Sequence, residues 1–438
     1  MAIRAGLRPA KDGRAGLLLQ GWLLGEQHMK NCDVAIVGGG LVGASLALAL
    51  SKTKLSVALI EAAPPPNTRP AWDERCIALN AASQRIFSTL GVWDALAMSA
   101  EPILSTHISE RGRFGVARFT AAEANLPALG YNVPVRAIGA QLWSSVQGLP
   151  GVETICPARV TALKTAEDSV ALQLDSGPRA RLKARLVVAA DGAQSAVRSL
   201  LGLDAEMRDY AQSAIVTAIR PTRTHKGCAY ERFTPDGPIA VLPKPDNVCS
   251  LVWTVPTARA EPLLALPDDV FLGEAQEIFG ERLGRFLELG RRSAHPLSRV
   301  MSGQLNAGRV LLAGNAAQSL HPVAAQGFNL GLRDVAAIAE LLADAADPGA
   351  PELLAEYESR RTRDRDLTSS FTDHLVRLFS NRVPGLRGLR HLGLLALDLL
   401  PPVKEAVMWQ NLGYTAAPAM ARAIDSSPLG GEGRVRGR

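Results

Sequence analysis

The sequence predicts an α/β chain: a discontinuous Rossmann-like dinucleotide-binding domain, an inserted and mainly antiparallel β-sheet domain, and a C-terminal helical segment. Three observations carry this expectation. A short apolar strand runs into Gly38-Gly39-Gly40-Leu41-Val42-Gly43 and then into an apolar helix. Two later apolar strands, Leu186–Ala190 and Val310–Ala313, also end at glycine-containing turns that feed helices. Between these pieces, residues 103–120 and 213–256 alternate apolar and polar side chains in the manner of strands.

The first strand is Cys32–Val37, the helix Ala44–Ser51, and a second strand, Ser56–Ile60, ends at Glu61. A G-x-G-x-x-G between strand and helix, with an acid about 20 residues on, is the pattern of a dinucleotide site. Gly38 makes the tight turn, Gly40 lets backbone approach a pyrophosphate, and Gly43 lets helix pack on strand. The helix N-terminus offers free N–H groups to phosphates. Glu61 can accept from both ribose hydroxyls, and it would repel a 2′-phosphate at this site. The pattern does not separate FAD from NAD.

The third strand delivers Asp191-Gly192 to a turn, followed by a helix with Arg198. The fourth ends at Gly314-Asn315, and a loop with Pro322 and Gly327 enters a helix from about Asn329. Taken alone, Asp191 and Arg198 also suit a plain turn and a surface helix charge, and Arg75 a solvated charge.

Composition excludes other classes. The chain has 438 residues, 47% hydrophobic and 21% charged, enough to bury several domains' worth of core. Its five cysteines, Cys32, Cys76, Cys156, Cys228 and Cys249, are scattered, which excludes a disulfide framework or CxxC zinc site and fits a reducing compartment such as the cytoplasm. Seven histidines show no metal-binding spacing. The net charge of +6 sits mostly at the two ends, and no basic face interleaves with aromatics, so no nucleic-acid partner is expected. Residues 1–28 read as a non-structural extension before Met29, and 426–438 as a disordered Gly/Ser/Arg-rich tail.

Together the three glycine-turn segments resemble the group A flavoprotein aromatic hydroxylases, the p-hydroxybenzoate hydroxylase family. The likeness is closer to its ubiquinone-biosynthesis branch, above all the hydroxylases of 2-polyprenyl-6-methoxyphenol. Gly314–Asp334 carries most of it, with Asp73–Leu79, Leu90–Trp93, Glu231–Thr234, Gly237-Pro238 and Ser250–Trp253. The resemblance covers roughly residues 30–415 and selects FAD as the cofactor.

By resemblance, Gly38, Gly40, Gly43 and Glu61 hold the ADP half of FAD. Arg75 matches the family's arginine near the pyrophosphate, and Arg136 one that contacts the flavin nucleotide. Asp191 and Gly192 match a pair tied to FAD and to NAD(P)H docking. Gly314 precedes Asn315, which stands where most members place an aspartate on a ribitol hydroxyl; the amide oxygen can still accept that bond. Gln318 replaces the common histidine, and Ala325 a common glycine. Pro322 matches the proline whose backbone lies over the flavin near the substrate. Gly327, Phe328 and Asn329 meet the flavin's pyrimidine edge at a helix N-terminus, which favours negative charge there. His321 is given no acid–base role, and no catalytic side chain is assigned.

The implied activity is FAD-dependent hydroxylation of a polyprenylated phenol, with NAD(P)H reducing the flavin and O₂ adding at C4a as a hydroperoxide. Alternatives are a hydroxylase of another ring position in the pathway, a flavin-dependent reductase, or a scaffold without oxygenase activity. A halogenase is disfavoured, because Leu251–Pro256 matches only the end of the required W-x-W-x-I-P.

The implied division has FAD-binding pieces at 29–102, 135–205 and 290–365, and substrate-domain pieces at 103–134 and 206–289. Residues 268–289 read as helical. C-terminal helices follow over 366–425. The densely charged 356–366 reads as a solvated face. Leu386–Leu400 is too short and too charged to span a bilayer. It reads as a helix packed on the body, or as one meeting a membrane surface or a ubiquinone-biosynthesis complex, so that the enzyme would be cytoplasmic or peripheral to the inner membrane. A homo-oligomer is a further expected partnership.

Overall fold

The computed structural model describes residues 30–63, 75–113, 115–176, 180–320, 326–379 and 400–414. The extension at 1–28, most of the Leu386–Leu400 run and the tail at 426–438 lie outside the described residues.

Lys30–Val37 lies at the centre of an eight-stranded sheet. It pairs in parallel with Val57–Ile60 on one side and Arg181–Ala189 on the other. Val152–Ile155 and Val310–Leu312 extend the sheet in parallel outward from these. The strands thus come from three separated stretches of chain. Val34, Ala35 and Ile36 are all buried, as both-face coverage requires of a central parallel strand. Helix Leu41–Leu50 is apolar all round and packs against both Val135–Val146 and Gln326–Leu342.

A second, nine-stranded sheet stands beside the first. Its order runs from Gln318–Ser319 through Ser293–Ser302, Ala205–Pro221, Val248–Pro256, Ile239–Lys244, Cys228–Phe233 and Ser105–Glu110 to Val116–Thr120. Pairing is antiparallel except between Cys228–Phe233 and Ser105–Glu110. One face packs Ile215, Val241, Leu251 and Trp253 against Phe271 and Phe279 of helix Asp268–Phe279. Side chains alternate across the pleat, so the other set points to the opposite face, where a cavity opens. A small sheet of Cys76–Asn80, Gly130–Pro134 and Glu101–Ile103 adjoins that cavity.

Four local expectations change. The helix read over 268–289 ends at Phe279, where Gly280 takes φ +83°, and Phe286–Leu289 is a strand on the edge of the second sheet. Ser293–Ser302, grouped above with the third nucleotide-binding piece, pairs along Ala205–Pro221 in the second sheet. The helix expected from about Asn329 begins at Gln326. The charged run 356–366 is not simply a solvated face. It belongs to helix Pro351–Phe379, and Arg361, Asp364 and Arg365 are buried in it. Alternating opposite charges along one helix face can neutralise each other, so the run did not need water on that side.

Helix Pro401–Asn411 returns to the body. Its Met408 packs with Phe119, Leu129 and Phe233 in a third apolar cluster.

Candidate active site

The glycine turn is built by exclusion. Gly38 has φ +103°, and a Cβ there would lie 2.5 Å from the Ala190 carbonyl oxygen. A Cβ on Gly43 would lie 1.8 Å from the carbonyl oxygen of Gly38. Gly40 differs: a Cβ there meets nothing within 4 Å, and the residue lines the cavity. The first and third glycines are therefore required by the protein's own packing, and Gly40 leaves room for something outside the chain. Gly39, not singled out from the sequence, is crowded too, with a Cβ placed 2.8 Å from the Trp143 ring.

Glu61 closes the turn. Its Oε2 accepts the Gly39 N–H at 2.5 Å and its Oε1 the Ala63 N–H at 3.0 Å. Each oxygen keeps a lone pair for a hydroxyl donor.

The second glycine turn sits against the first. Gly192 has φ +87° and lines the cavity. Asp191 Oδ2 accepts the Val197 N–H at 3.2 Å, while its Oδ1 is buried without a partner. Arg198, which the sequence also allowed as a surface charge, is buried. It donates to the carbonyls of Ala193 at 2.7 Å and Ala316 at 2.8 Å, tying the second turn to the third.

The third turn rests on a charged network. Gly314, at φ +58°, donates its N–H to Asp334 Oδ2 at 2.9 Å, and Gln318 Nε2 donates to the same oxygen at 2.8 Å. Arg361 Nε donates to Asp334 Oδ1 at 2.6 Å. Arg361 and Arg333 both reach Asp364 Oδ2, at 2.5 and 2.8 Å. Two carboxylates and two guanidiniums cancel, which lets them sit out of water. Asn315 projects from this turn, exposed to the cavity.

At the start of helix Gln326–Leu342, Gln326, Gly327, Phe328 and Asn329 line the cavity. The Asn329 side chain is engaged within the protein: Oδ1 accepts the Asn80 N–H and Nδ2 donates to the Ala78 carbonyl, both at 3.0 Å. It fastens the helix start to strand Cys76–Asn80. Gln326 Oε1 is buried without a partner. Pro322, His321 and Ala325 lie outside the described residues. Arg75 is exposed and lines the cavity; Arg136 follows the lining residue Val135 without itself lining it.

The cavity holds about 1140 Å³ and runs from the three glycine turns to the free face of the second sheet. Its sheet wall is largely apolar, with Ile108, Phe119, Val216, Phe233, Leu242 and Val252. Helix Pro401–Asn411 contributes Val407, Met408 and Asn411 to the wall. Two titratable lining groups were not found from the sequence. Glu231 on strand Cys228–Phe233 is half-buried in the cavity wall, and its partial loss of water pushes its carboxyl up to about 7. His295 is pushed down by burial and then by the charge of Arg75. Period-two alternation over 213–256 placed Glu231 on a strand, but the face it takes depends on register. His295 lay outside the alternating stretches.

These features fit a dinucleotide such as FAD. Open space faces Gly40, the Leu41–Leu50 helix N-terminus lies beside it, Glu61 retains acceptor capacity, and the orphaned Gln326 Oε1 awaits a donor at the cavity's far side.

The comparisons agree with this geometry. Residues 31–368 match the FAD binding domain family, and the chain belongs to it. It is 41% identical over 406 residues to the ubiquinone hydroxylase UbiL of Rhodospirillum rubrum, covering 91% of this chain and 94% of that one. It is 36% identical over 390 residues to the 3-demethoxyubiquinol 3-hydroxylase of Escherichia coli, covering 87% and 98%. In fold it is similar to the crystal structure of the p-nitrophenol 4-monooxygenase PnpA of Pseudomonas putida, with a TM-score of 0.73 at 20% identity over 89% of this chain and 100% of that one.

Proposed function

For this member of the FAD binding domain family, we propose FAD-dependent monooxygenation: hydroxylation of the ring of a polyprenylated phenol of the 2-polyprenyl-6-methoxyphenol type in ubiquinone biosynthesis. NAD(P)H is the reductant and O₂ the oxidant. The single observation that supports it most is the continuity of the cavity, from the dinucleotide turns to an apolar sheet face large enough for a ring with a hydrocarbon tail.

FAD, when bound, supplies the chemistry that activates O₂. The chain's own residues bind, orient and dry the site. Gly38, Gly40, Gly43 and Glu61 hold the adenosine end. Asp191, Gly192, Gly314 and Asn315 frame the middle, with Arg75 near the phosphates. Gly327, Phe328 and Asn329 present backbone N–H groups of a helix start, which favours negative charge at that end. Pro322, four residues before that helix in the sequence, is the residue that the family resemblance assigns to the flavin and substrate. The apolar wall from Ile108 to Val252 excludes water from the reacting ring.

The tail leaves along helix Pro401–Asn411. Val407 and Met408 line the cavity, while Leu400 and Val403 are 50% and 46% exposed, so apolar surface continues from the cavity to the outside. That suits a lipid-borne substrate taken from a membrane surface. No helix among the described residues is long and apolar enough to cross a membrane.

A second reading, hydroxylation of a demethoxyubiquinol ring, is favoured by the Escherichia coli relative's name. One experiment separates the two: mass spectrometry of quinone-pathway lipids from a deletion strain, with and without the gene restored. Accumulation of a prenylated methoxyphenol lacking one hydroxyl, cleared on complementation, is the expected result. Accumulated demethoxyubiquinol selects the second reading. Unchanged quinone with no phenolic intermediate contradicts both.

A further inference from the structure

We propose that Glu231 is a catalytic residue that receives the phenolic proton of the substrate as its ring is hydroxylated. The proposal rests on the phenol-hydroxylase reading above and adds a residue that neither the sequence motifs nor the relatives assign.

Placement carries it. Glu231 is the only carboxyl among the described residues that line the cavity. It lies in one cross-strand row of the second sheet. Its neighbours there are Ile108 on Ser105–Glu110 and Ala240 on Ile239–Lys244, and Val252 and Val216 continue the row. A single acid stands in an otherwise apolar row, on the face where the substrate ring would lie. No hydrogen-bond or ion-pair partner reaches its carboxyl among the described residues. Glu231 is half-buried in the cavity wall, and a carboxyl kept there without a partner is one that a ligand can satisfy.

The surroundings set its proton affinity. The adjacent strands Ser105–Glu110 and Ile239–Lys244 present Ile108 and Ala240 to it. Glu110 lies farther along the same face beside Phe233, and His107 and Arg232 alternate to the other face. The cavity's remaining titratable groups are Arg75, Cys76, Tyr230 and His295. Burial alone raises Glu231, to about 7, so it is a far better proton acceptor than a solvated carboxylate.

The proton balance closes. O₂, with the hydride of NAD(P)H and one proton from solvent, delivers one oxygen as a hydroxyl to a ring carbon, and its other oxygen leaves as hydroxide. As it does so, the phenolic O–H breaks and its proton passes to a Glu231 carboxylate oxygen. The ring is then a cyclohexadienone with a new C–O bond. Its ring-carbon hydrogen leaves as a proton, which turns the hydroxide into water, while the ketone oxygen takes the proton back from Glu231. The ring is aromatic again, it carries one more hydroxyl, and Glu231 is again a carboxylate.

The test uses the full-length holoenzyme with 2-farnesyl-6-methoxyphenol in detergent micelles as probe and NAD(P)H as reductant. Product per NAD(P)H oxidised is followed from pH 5.5 to 9, and bound FAD reports folding. In the wild type, hydroxylation should fall on the acid side as Glu231 protonates, with a midpoint near 7. Glu231→Gln should lose about 10²-fold in kcat for hydroxylation and show no such acid limb. Glu231→Asp, which keeps a carboxylate, should recover part of the rate and the limb. A Glu231→Gln variant that hydroxylates within twofold of wild type, with the same acid limb, overturns the assignment and leaves the functional reading intact. If Glu231→Gln fails to hold FAD, Glu231→Asp decides: FAD bound with no acid limb overturns the proposal. A wild-type holoenzyme that oxidises NAD(P)H but hydroxylates no phenol overturns the functional reading, and this proposal with it.

Discussion

Arg361 donates its Nε–H to Asp334 Oδ1 at 2.6 Å, in a pair whose two side chains are 7% and 2% exposed. The bond joins two long helices, and the other oxygen of Asp334 holds the Gly314 N–H of the third glycine turn. The cofactor turn is thus shaped by a residue 20 positions later, itself fixed by one 27 beyond that. Arg361→Ala leaves Asp334 buried without its cation. Breaking one partner of such a pair costs about 3–5 kcal/mol. Urea unfolding of the apoprotein should show that loss, and FAD affinity should fall with it. Replacing both by apolar residues, Asp334→Leu with Arg361→Met, should recover most of the stability but not the affinity, since Gly314 loses its acceptor.

The glycines separate packing from binding. Gly43→Ala drives a Cβ to 1.8 Å from Gly38 O, so the apoprotein itself should be destabilised. Gly40→Ala meets nothing within 4 Å, so its apoprotein should unfold at the wild-type midpoint and fail only in FAD titration. Equal apoprotein stability for the two variants would contradict the reading of Gly40 as the cofactor-facing glycine.

Glu231 should cost stability in the absence of substrate. Its folded pKa, about 7, lies above the ordinary carboxylate value. A raised pKa gives a contribution fully present below the unfolded value and lost as pH rises through 7. Glu231→Gln should therefore stabilise the apoprotein at pH 8 by on the order of 3 kcal/mol and change little at pH 4.5. Chemical unfolding at the two pH values checks this without turnover.

His107 acts in the opposite sense. Burial, and then the charge of Arg282, pushes its imidazole down to about 4, and its Nδ1 is buried without a partner. With the folded pKa depressed, the penalty is absent above 6.5 and grows as pH falls toward 4. His107→Phe, which keeps the ring contact with Tyr230 at 5.5 Å, should flatten that acid loss of stability in an unfolding titration.

The parts of the fold legible in the sequence were those set by local sterics. The turn at Gly38–Gly43 and the strands around it follow from residues a few positions apart. The buried charge network was not legible, because Asp334 and Arg361 meet only after two helices pack, and a charged run looks the same whether water or a partner neutralises it. Arg198 was underread for the same reason. Asn329 was placed at the cofactor edge, and it does line the cavity, but its side chain is bound to Ala78 and Asn80, and only the folded chain shows that. Glu231 sat in a stretch noted for family likeness, yet its facing depends on pairing register with Ile108 and Ala240.

The central claim is tested most directly by turnover of the purified holoenzyme with NAD(P)H and 2-farnesyl-6-methoxyphenol under oxygen-18 gas, with the product read by mass spectrometry. Incorporation of one labelled oxygen atom into the ring, dependent on bound FAD, is the predicted result. NAD(P)H oxidation that yields only hydrogen peroxide, or a product reduced at a prenyl double bond with no label, would contradict it.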